Sequence, residues 1–376
     1  MAKQRKANRQ AGKTKLSDGQ KRRMQANQKR RVTAFQEGSS QPDSVEYGPA
    51  ETAIVTSRYG QHADIQTAQQ ERLRCHIRRG VESLVCGDHV VWRRALQTSM
   101  SEQHTDFHGV IEAVVDRTSL LSRPDYYDGL KPVAANIDRI FIVSSVVPAF
   151  SSQIIDRYLV ACEDIEIEPV IVLNKAELLN TLDASEQQQI NTDLQMYENI
   201  GYEVLQVSAH AELGMESIKA ALVDHTSIFV GQSGVGKSSL VNALFPRLEL
   251  LTGAVSDNSG LGQHTTTVAT WFDLAQASEQ AELTGALIDS PGIREFALWH
   301  LAPERVAWCY RDFRPWLGQC KFRDCKHHDD PGCALQEAVI SGELAATRLY
   351  NFHKIIASMQ SQAPTRVTSK AGAKRT

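Results

Sequence analysis

The stretch Gly231-Gln232-Ser233-Gly234-Val235-Gly236-Lys237-Ser238-Ser239 sets three glycines, a lysine and a serine in the spacing GxxxxGK[ST]. Glycines at these offsets let backbone N–H groups close around an anion. A lysine there reaches the β- and γ-phosphates of a nucleotide, and the Ser238 hydroxyl is placed to ligate Mg²⁺. The apolar run SIFV ahead of the loop and the helix-forming SLVNALF behind it are the strand and helix that such a loop needs. AGKTK at residues 11–15 lacks the first glycine and any strand, and is a decoy.

Two further signals follow the loop in the chain. Asp289 closes the apolar run ALID and is followed by Ser290-Pro291-Gly292, a DxxG pattern. Its aspartate holds Mg²⁺ through water, and the Gly292 N–H meets the γ-phosphate. Between them, Gly262-Gln263-His264-Thr265-Thr266-Thr267 is a polar loop that offers a threonine hydroxyl to Mg²⁺, with Thr266 the expected ligand and Thr265 the alternative. The same threonines also read as the start of a strand, TTTVATWF.

Base selection lies upstream. Asn174-Lys175-Ala176-Glu177 ends the apolar run PVIVL and matches the guanine-reading pattern NKxD, with glutamate in place of aspartate. A carboxylate here accepts from the guanine N1 and N2 donors, which adenine does not present, while the Lys175 stem covers the base. The extra methylene of Glu177 loosens selectivity or requires a small loop adjustment. Ser208-Ala209, after VLQV, matches the second guanine loop. Base motif, base loop, phosphate loop and then the two switch motifs is the order of a circularly permuted GTPase. Ras-like proteins orient water with a glutamine after DxxG. Ile293 stands there and cannot, which leaves His264 as the nearest group able to orient or deprotonate water. A surface loop histidine is the competing reading.

The last constellation, Cys320-x4-Cys325-x-His327-x5-Cys333, offers three thiolates and an imidazole, which complete tetrahedral Zn²⁺ with no open position; the site is expected to be structural. His328 is an alternative to His327. The other four cysteines, Cys75, Cys86, Cys162 and Cys309, are scattered, so reduced thiols plus one metal site are expected rather than disulfides.

The elements that must position these residues are legible in the hydrophobic pattern. From Ile137, buried-strand runs (IDRIFIVSSVV, EPVIVLN, YEVLQV, SIFV) alternate with a helix capped by Ser151 or Ser152 and running through Asp164, and with helices near 184–199 and 214–223, which implies a mostly parallel α/β sheet covered on both faces. Between Glu51 and Arg123 the runs are short, alternating and rich in β-branched residues, as in a small barrel of the OB type. Arg72, Arg74, Arg78, Arg79, Arg93 and Arg94 on those runs form either an RNA-binding face or a charged solvent face. Beyond Trp299 come a Trp- and Arg-rich helical stretch, the cysteine cluster and an amphipathic helix near 343–359.

Charge is strongly asymmetric. Residues 1–31 carry twelve Lys and Arg against one acid, Asp18, and residues 362–376 carry four bases and no acid, which leaves residues 32–361 with a net charge of −18. A segment as polar as Met1 to Arg31 is expected to be disordered alone and to bind polyanions by counterion release. No run approaches the roughly 20 apolar residues of a membrane span and no signal peptide is legible, so a cytoplasmic protein is expected.

Taken together, GDHVVW, RTSLLSRPD, NKAE, GQSGVGKSS, GQHTTT, DSPGIREF and the Cys320 to Cys333 module resemble the bacterial small-subunit-dependent GTPases of the RsgA (YjeQ, EngC) family over about residues 47–360. The resemblance implies an OB-fold RNA-binding barrel (47–125), a permuted P-loop G domain (130–297) and a helical zinc-binding domain (298–361), set between a basic disordered arm and linker (1–46) and a basic tail (362–376) that the charge pattern defines. It also implies a monomer that uses GTP, Mg²⁺ and one Zn²⁺ in late maturation of the 30S subunit. Contacts to 16S rRNA, hydrolysis stimulated by that subunit, and water activation at His264 belong to the same expectation. The competing functional readings are a nucleotide-switched signalling protein whose target is another protein, and an RNA-binding module that holds nucleotide with negligible turnover.

Overall fold

The computed structural model describes residues 18–39, 47–81, 83–96, 107–125, 129–248, 269–277, 283–289 and 298–362. The chain divides into two compact units. The first comprises the described residues up to Ala53 with Gln61–Leu84 and His89–Val115; the second comprises Ile54–Gly60, Val85–Asp88 and the described residues from Asp116 onward.

Strands β1 (Tyr47–Tyr59), β2 (His62–Thr67), β3 (Arg72–Ile77), β4 (His89–Ala95) and β5 (Gly109–Val114) close a barrel in the order β1-β2-β3-β5-β4. β3 and β5 run parallel while β2–β3 and β4–β5 are antiparallel. This is the topology the short alternating runs imply. Ile65, Cys75, Val90, Trp92 and Ile111 fill the interior. Gly109 is required by close packing: a Cβ there would meet the Arg93 carbonyl oxygen at 2.3 Å and the Trp92 ring at 3.0 Å.

Two expectations for this unit are corrected. Arg93 faces inward, only 1% exposed, and donates to Glu112 Oε2 (3.0 Å) and to the Gly48 carbonyl (2.9 Å). Arg78 takes the other Glu112 oxygen (2.7 Å), Arg74 pairs with Asp64 (2.8 Å) and Arg94 with Glu71. Carboxylates thus hold four of the six barrel arginines, and a buried one cannot meet RNA. The second correction concerns the basic arm, which is helical from Asp18 to Gln36 (α1). Met24, Gln28, Arg31, Val32 and Phe35 share its half-buried face at helical spacing. Gln28 Nε2 donates to the Gly80 carbonyl (2.7 Å) and Arg31 to the Glu112 carbonyl (3.3 Å). Docking on the barrel supplies the burial that the arm lacks on its own. Residues 1–17 lie outside the described residues.

In the second unit a hairpin of β6 (Leu120–Asp125) and β7 (Gly129–Ala135) precedes a six-stranded sheet. Its strands are β8 (Arg139–Ser145), β9 (Glu168–Asn174), β10 (Glu203–Gln206), β11 (Thr226–Val230), β12 (Thr270–Asp273) and β13 (Ala286–Asp289). They lie in the order β10-β9-β8-β11-β13-β12, parallel except for β12 at one edge. Helices α2 (Ser152–Asp164), α3 (Ala184–Ile200), α4 (Met215–Leu222) and α5 (Lys237–Leu244) connect them. Ser151 caps α2 by position, without a side-chain hydrogen bond, whereas the Asp183 side chain accepts from the Glu186 N–H (2.9 Å) at the start of α3. Parallel strands buried on both faces explain the unbroken apolar runs.

The C-terminal elements are α6 (Pro303–Trp308), a 3₁₀ turn Arg311–Trp316, α7 (Ala334–Ser341) and α8 (Ala346–Gln362). One apolar cluster runs from Ile140, Ile142 and Ile171 of the sheet through Ile155 and Leu159 of α2 to Tyr310, Phe313, Leu335 and Phe352. Arg348 of α8, 1% exposed, bonds Asp156 of α2 and both oxygens of Asp312 (2.8 and 3.0 Å). Tyr197 (2.7 Å) and Asn351 (2.8 Å) donate to the same Asp156 carboxylate. Burial opposes the Arg348 charge and the two carboxylates outweigh it, so the guanidinium stays protonated. Among the described residues no helix is long and apolar enough to cross a membrane.

Candidate nucleotide and metal sites

Three of the sequence signals converge at the carboxyl ends of parallel strands, where open α/β sheets bind ligands. β11 ends at Val230 and the chain enters the glycine loop. Gly231 has φ +144°, and a Cβ there would lie 2.2 Å from the Val143 carbonyl oxygen of the adjacent β8. Gly236, at φ +92°, would drive a Cβ to 2.4 Å from Asn174 Nδ2. Glycine is therefore obligatory at both positions, once for backbone proximity and once for proximity to the base motif. Lys237 opens α5 and donates to the carbonyls of Gly231 (2.8 Å) and Gln232 (2.6 Å), so its ammonium arches over the loop. Val235 is buried, Gln232 half-buried, and Ser233, Gly234, Ser238 and Ser239 face solvent.

The base motif is bonded to this loop. Asn174, buried at the end of β9, donates from Nδ2 to the Val235 carbonyl (2.9 Å). Lys175 adopts the left-handed conformation (φ +59°) and its ammonium donates to the Gly234 carbonyl (2.9 Å) and to the Val147 carbonyl. The Ala176 N–H donates to the Val207 carbonyl (3.0 Å), which ties the motif to the loop carrying Ser208 and Ala209. Ser208 is buried; its Oγ accepts from the Ala211 N–H (2.9 Å) and its N–H donates to the Leu213 carbonyl (2.9 Å). Glu177 Oε2 and Asn174 Oδ1 are buried and have no hydrogen-bond partner among the described residues. Buried polar atoms are rarely left unpaired, and two such acceptors within the stretch from Asn174 to Glu177 suit a ligand that presents N–H donors.

Asp289 ends β13, beside β11. Burial of its surroundings holds its carboxyl above the ordinary aspartate range, although the side chain keeps a solvent-facing edge. The Ser238 hydroxyl and the Asp289 carboxylate each offer the kind of oxygen donor that Mg²⁺ takes. His264, Thr265, Thr266 and Gly292 lie outside the described residues. The Val147 and Val143 carbonyls, which support Lys175 and the first glycine, escaped sequence reasoning because a backbone oxygen leaves no signature in residue type.

In the metal motif, the ligand atoms of Cys320, Cys325, His327 and Cys333 lie within 4.8 Å of one another. His327 Nδ1 is 3.5 Å from Cys320 Sγ, 3.5 Å from Cys325 Sγ and 3.4 Å from Cys333 Sγ. Zn–S bonds of about 2.3 Å and a Zn–N bond of about 2.0–2.1 Å require tetrahedral N···S edges of about 3.5 Å, so the residues fit the ion. Burial lowers the His327 imidazole from its ordinary value, which favours the neutral form that ligates. His328 faces solvent with Nδ1 2.6 Å from Asp329, so the structure selects His327 of the two candidates. The turn is closed by Asp330, which accepts from the N–H groups of Lys326 (3.0 Å) and His328 (3.3 Å).

Known proteins resemble the chain throughout. A family model described as RsgA GTPase matches residues 114–299. The small ribosomal subunit biogenesis GTPase RsgA of Proteus mirabilis is 53% identical over 350 residues, covering 92% of this chain and 96% of that one. The chain belongs to the RsgA GTPase family. The RsgA of Yersinia enterocolitica is 51% identical over 364 residues, 96% of this chain and 99% of its own. The crystal structure of YjeQ from Thermotoga maritima superposes with a TM-score of 0.64 at 29% identity, covering 84% of this chain and all of that one. YloQ, described as a circularly permuted GTPase, superposes at 0.62 with 25% identity over 86% of this chain. The fold is therefore an OB-type barrel, a permuted α/β P-loop GTPase sheet and a C-terminal helical region with a Cys₃His cluster.

Proposed function

We propose that this chain hydrolyses GTP as a late assembly factor of the small ribosomal subunit: it binds the subunit and its 16S rRNA in the GTP state and leaves after subunit-stimulated hydrolysis. The observation that carries the reading is the bond from Asn174 to the Val235 carbonyl, beside the unpaired Glu177 oxygen. It joins a guanine-reading motif to a phosphate loop. The relatives' names, which specify small ribosomal subunit biogenesis, support the partner.

In this reading Asn174, Lys175, Ala176, Glu177, Ser208 and Ala209 select guanine, and residues Gly231–Ser239 cradle the phosphates. Lys237 draws charge from the β- and γ-oxygens as it shifts toward the transferred phosphoryl group. Mg²⁺, held by Ser238, Thr266 and Asp289, supplies charge neutralisation when bound. Gly292 positions the γ-phosphate and His264 orients the attacking water. With Ile293 unable to do so, turnover is slow until the subunit stimulates it. Zn²⁺ at Cys320, Cys325, His327 and Cys333 is structural. RNA contacts come from α1, whose Arg22, Arg23, Lys29 and Arg30 face solvent, from the barrel and from the C-terminal region of residues 298–361. The protein acts as a cytoplasmic monomer.

The test is GTP turnover with and without small subunits for the wild type, Lys237→Ala and His264→Ala. Stimulation of the wild type alone is expected. Equal, near-zero rates in all three with subunits present would favour a non-hydrolysing switch.

A further inference from the structure

Phe322 and Tyr350 are 47% and 58% exposed, an unusual state for large aromatic side chains. Phe322 projects from the Cys320 to Cys325 loop and Tyr350 from α8, and both line one open groove of about 1250 Å³. Each ring carries a cation. Lys321 Nζ lies 5.5 Å from the Phe322 centroid and Lys354 Nζ 5.1 Å from that of Tyr350. Arg323 and Lys326 are exposed on the same lip, and none of these four bases forms an ion pair among the described residues. Two carboxylates, Glu304 and Asp324, also line the groove, while Asp330 is held by the backbone of the turn.

Exposed rings flanked by unpaired bases are the combination that binds single-stranded nucleic acid: a ring offers its face to any base, and the cations follow the phosphates. We infer that this groove takes an unpaired RNA segment, with one base stacked on Phe322, another on Tyr350, and phosphates met by Lys321, Arg323, Lys326 and Lys354. The inference rests on the proposed ribosomal role and assigns its C-terminal RNA contact to named side chains. An acidic peptide would satisfy the lysines without needing either ring; a basic peptide would be repelled.

The experiment uses the full chain, loaded with zinc, and a fluorescein-labelled 12-nucleotide oligouridylate, alongside isolated small subunits. Phe322→Ala and Tyr350→Ala are each expected to weaken oligonucleotide binding about 5- to 150-fold, the range for loss of one stacked base. Lys354→Ala should weaken it less and reduce its salt dependence. Zinc content and subunit-free GTP turnover should be unchanged, and Phe322→Tyr should retain binding. The inference is overturned if the double alanine variant, with full zinc, binds the oligonucleotide as the wild type does. It is equally overturned if only subunit binding falls while the oligonucleotide is held normally, since that result indicates a protein partner. Absence of subunit stimulation in the wild type would instead count against the ribosomal role, and the oligonucleotide measurement would still judge the groove.

Discussion

Replacing Glu177 by alanine should have two effects of opposite sign. In the unliganded chain Glu177 Oε2 is buried with no hydrogen-bond partner among the described residues, which costs about 1–3 kcal/mol for a fully desolvated polar group. Glu177 is only partly buried, so the lower end applies. Alanine removes that oxygen and breaks no hydrogen bond to the described residues. The unliganded protein should therefore unfold in urea at the same free energy or one about 1 kcal/mol higher, a rise of about 2 °C in Tm. With guanine bound, the carboxylate gains charge-assisted hydrogen bonds worth about 1.5–3 kcal/mol each. Non-additivity limits the combined loss to about 3 kcal/mol, or about a hundredfold in GDP affinity. Titration with fluorescent GDP, competed by ATP and by ITP, which lacks the N2 amine, measures it. The preference for GTP over ITP should shrink in the variant. A variant that is less stable without ligand and still discriminates GTP from ATP as before would refute the assignment of Glu177 to guanine.

Other outcomes follow from the same geometry. Gly236→Ala places a Cβ 2.4 Å from Asn174 Nδ2 at a φ of +92°, so it should break the Asn174–Val235 bond and weaken GTP binding at least tenfold, measured by calorimetry. Burial raises the Cys75 and Cys309 thiols to about 12, well above their value in the unfolded chain. The unfolded state then loses protons first as pH rises, so stability should fall from about pH 8.5 upward by as much as about 1.4 kcal/mol per pH unit per thiol. Urea unfolding of Cys75→Ala between pH 8 and 10 should show a correspondingly flatter dependence. A strong chelator should release one zinc per chain in a colorimetric assay and lower the melting temperature, and Cys325→Ser should purify with substoichiometric zinc and the same loss.

Much of the site was legible because its constraints are local. Gly231 and Gly236 are fixed by close approach of backbone and side chain, and strand-ending motifs such as Asn174-Lys175 occupy the carboxyl ends of the parallel strands whatever their order in the chain. The alternation of apolar runs and helices likewise reports a parallel sheet buried on both faces. Long-range pairing was not legible. Arg93 read as an RNA-binding or solvent-facing base and Arg348 drew no reading at all, because only the fold brings Glu112, Asp156 and Asp312 to them. Helix α1 read as a disordered arm because its partners, Gly80 and Glu112, lie 52 and 81 residues away in sequence. The choice between His327 and His328 likewise needed three-dimensional distances.

The decisive measurement is the GTP turnover rate of the full chain with and without purified small ribosomal subunits, with excess ATP as competitor. The expected result is a slow basal rate, a marked rise with subunits and no inhibition by ATP. Turnover indifferent to subunits, or suppressed by ATP, would contradict the assignment of a guanine-selective, ribosome-coupled GTPase.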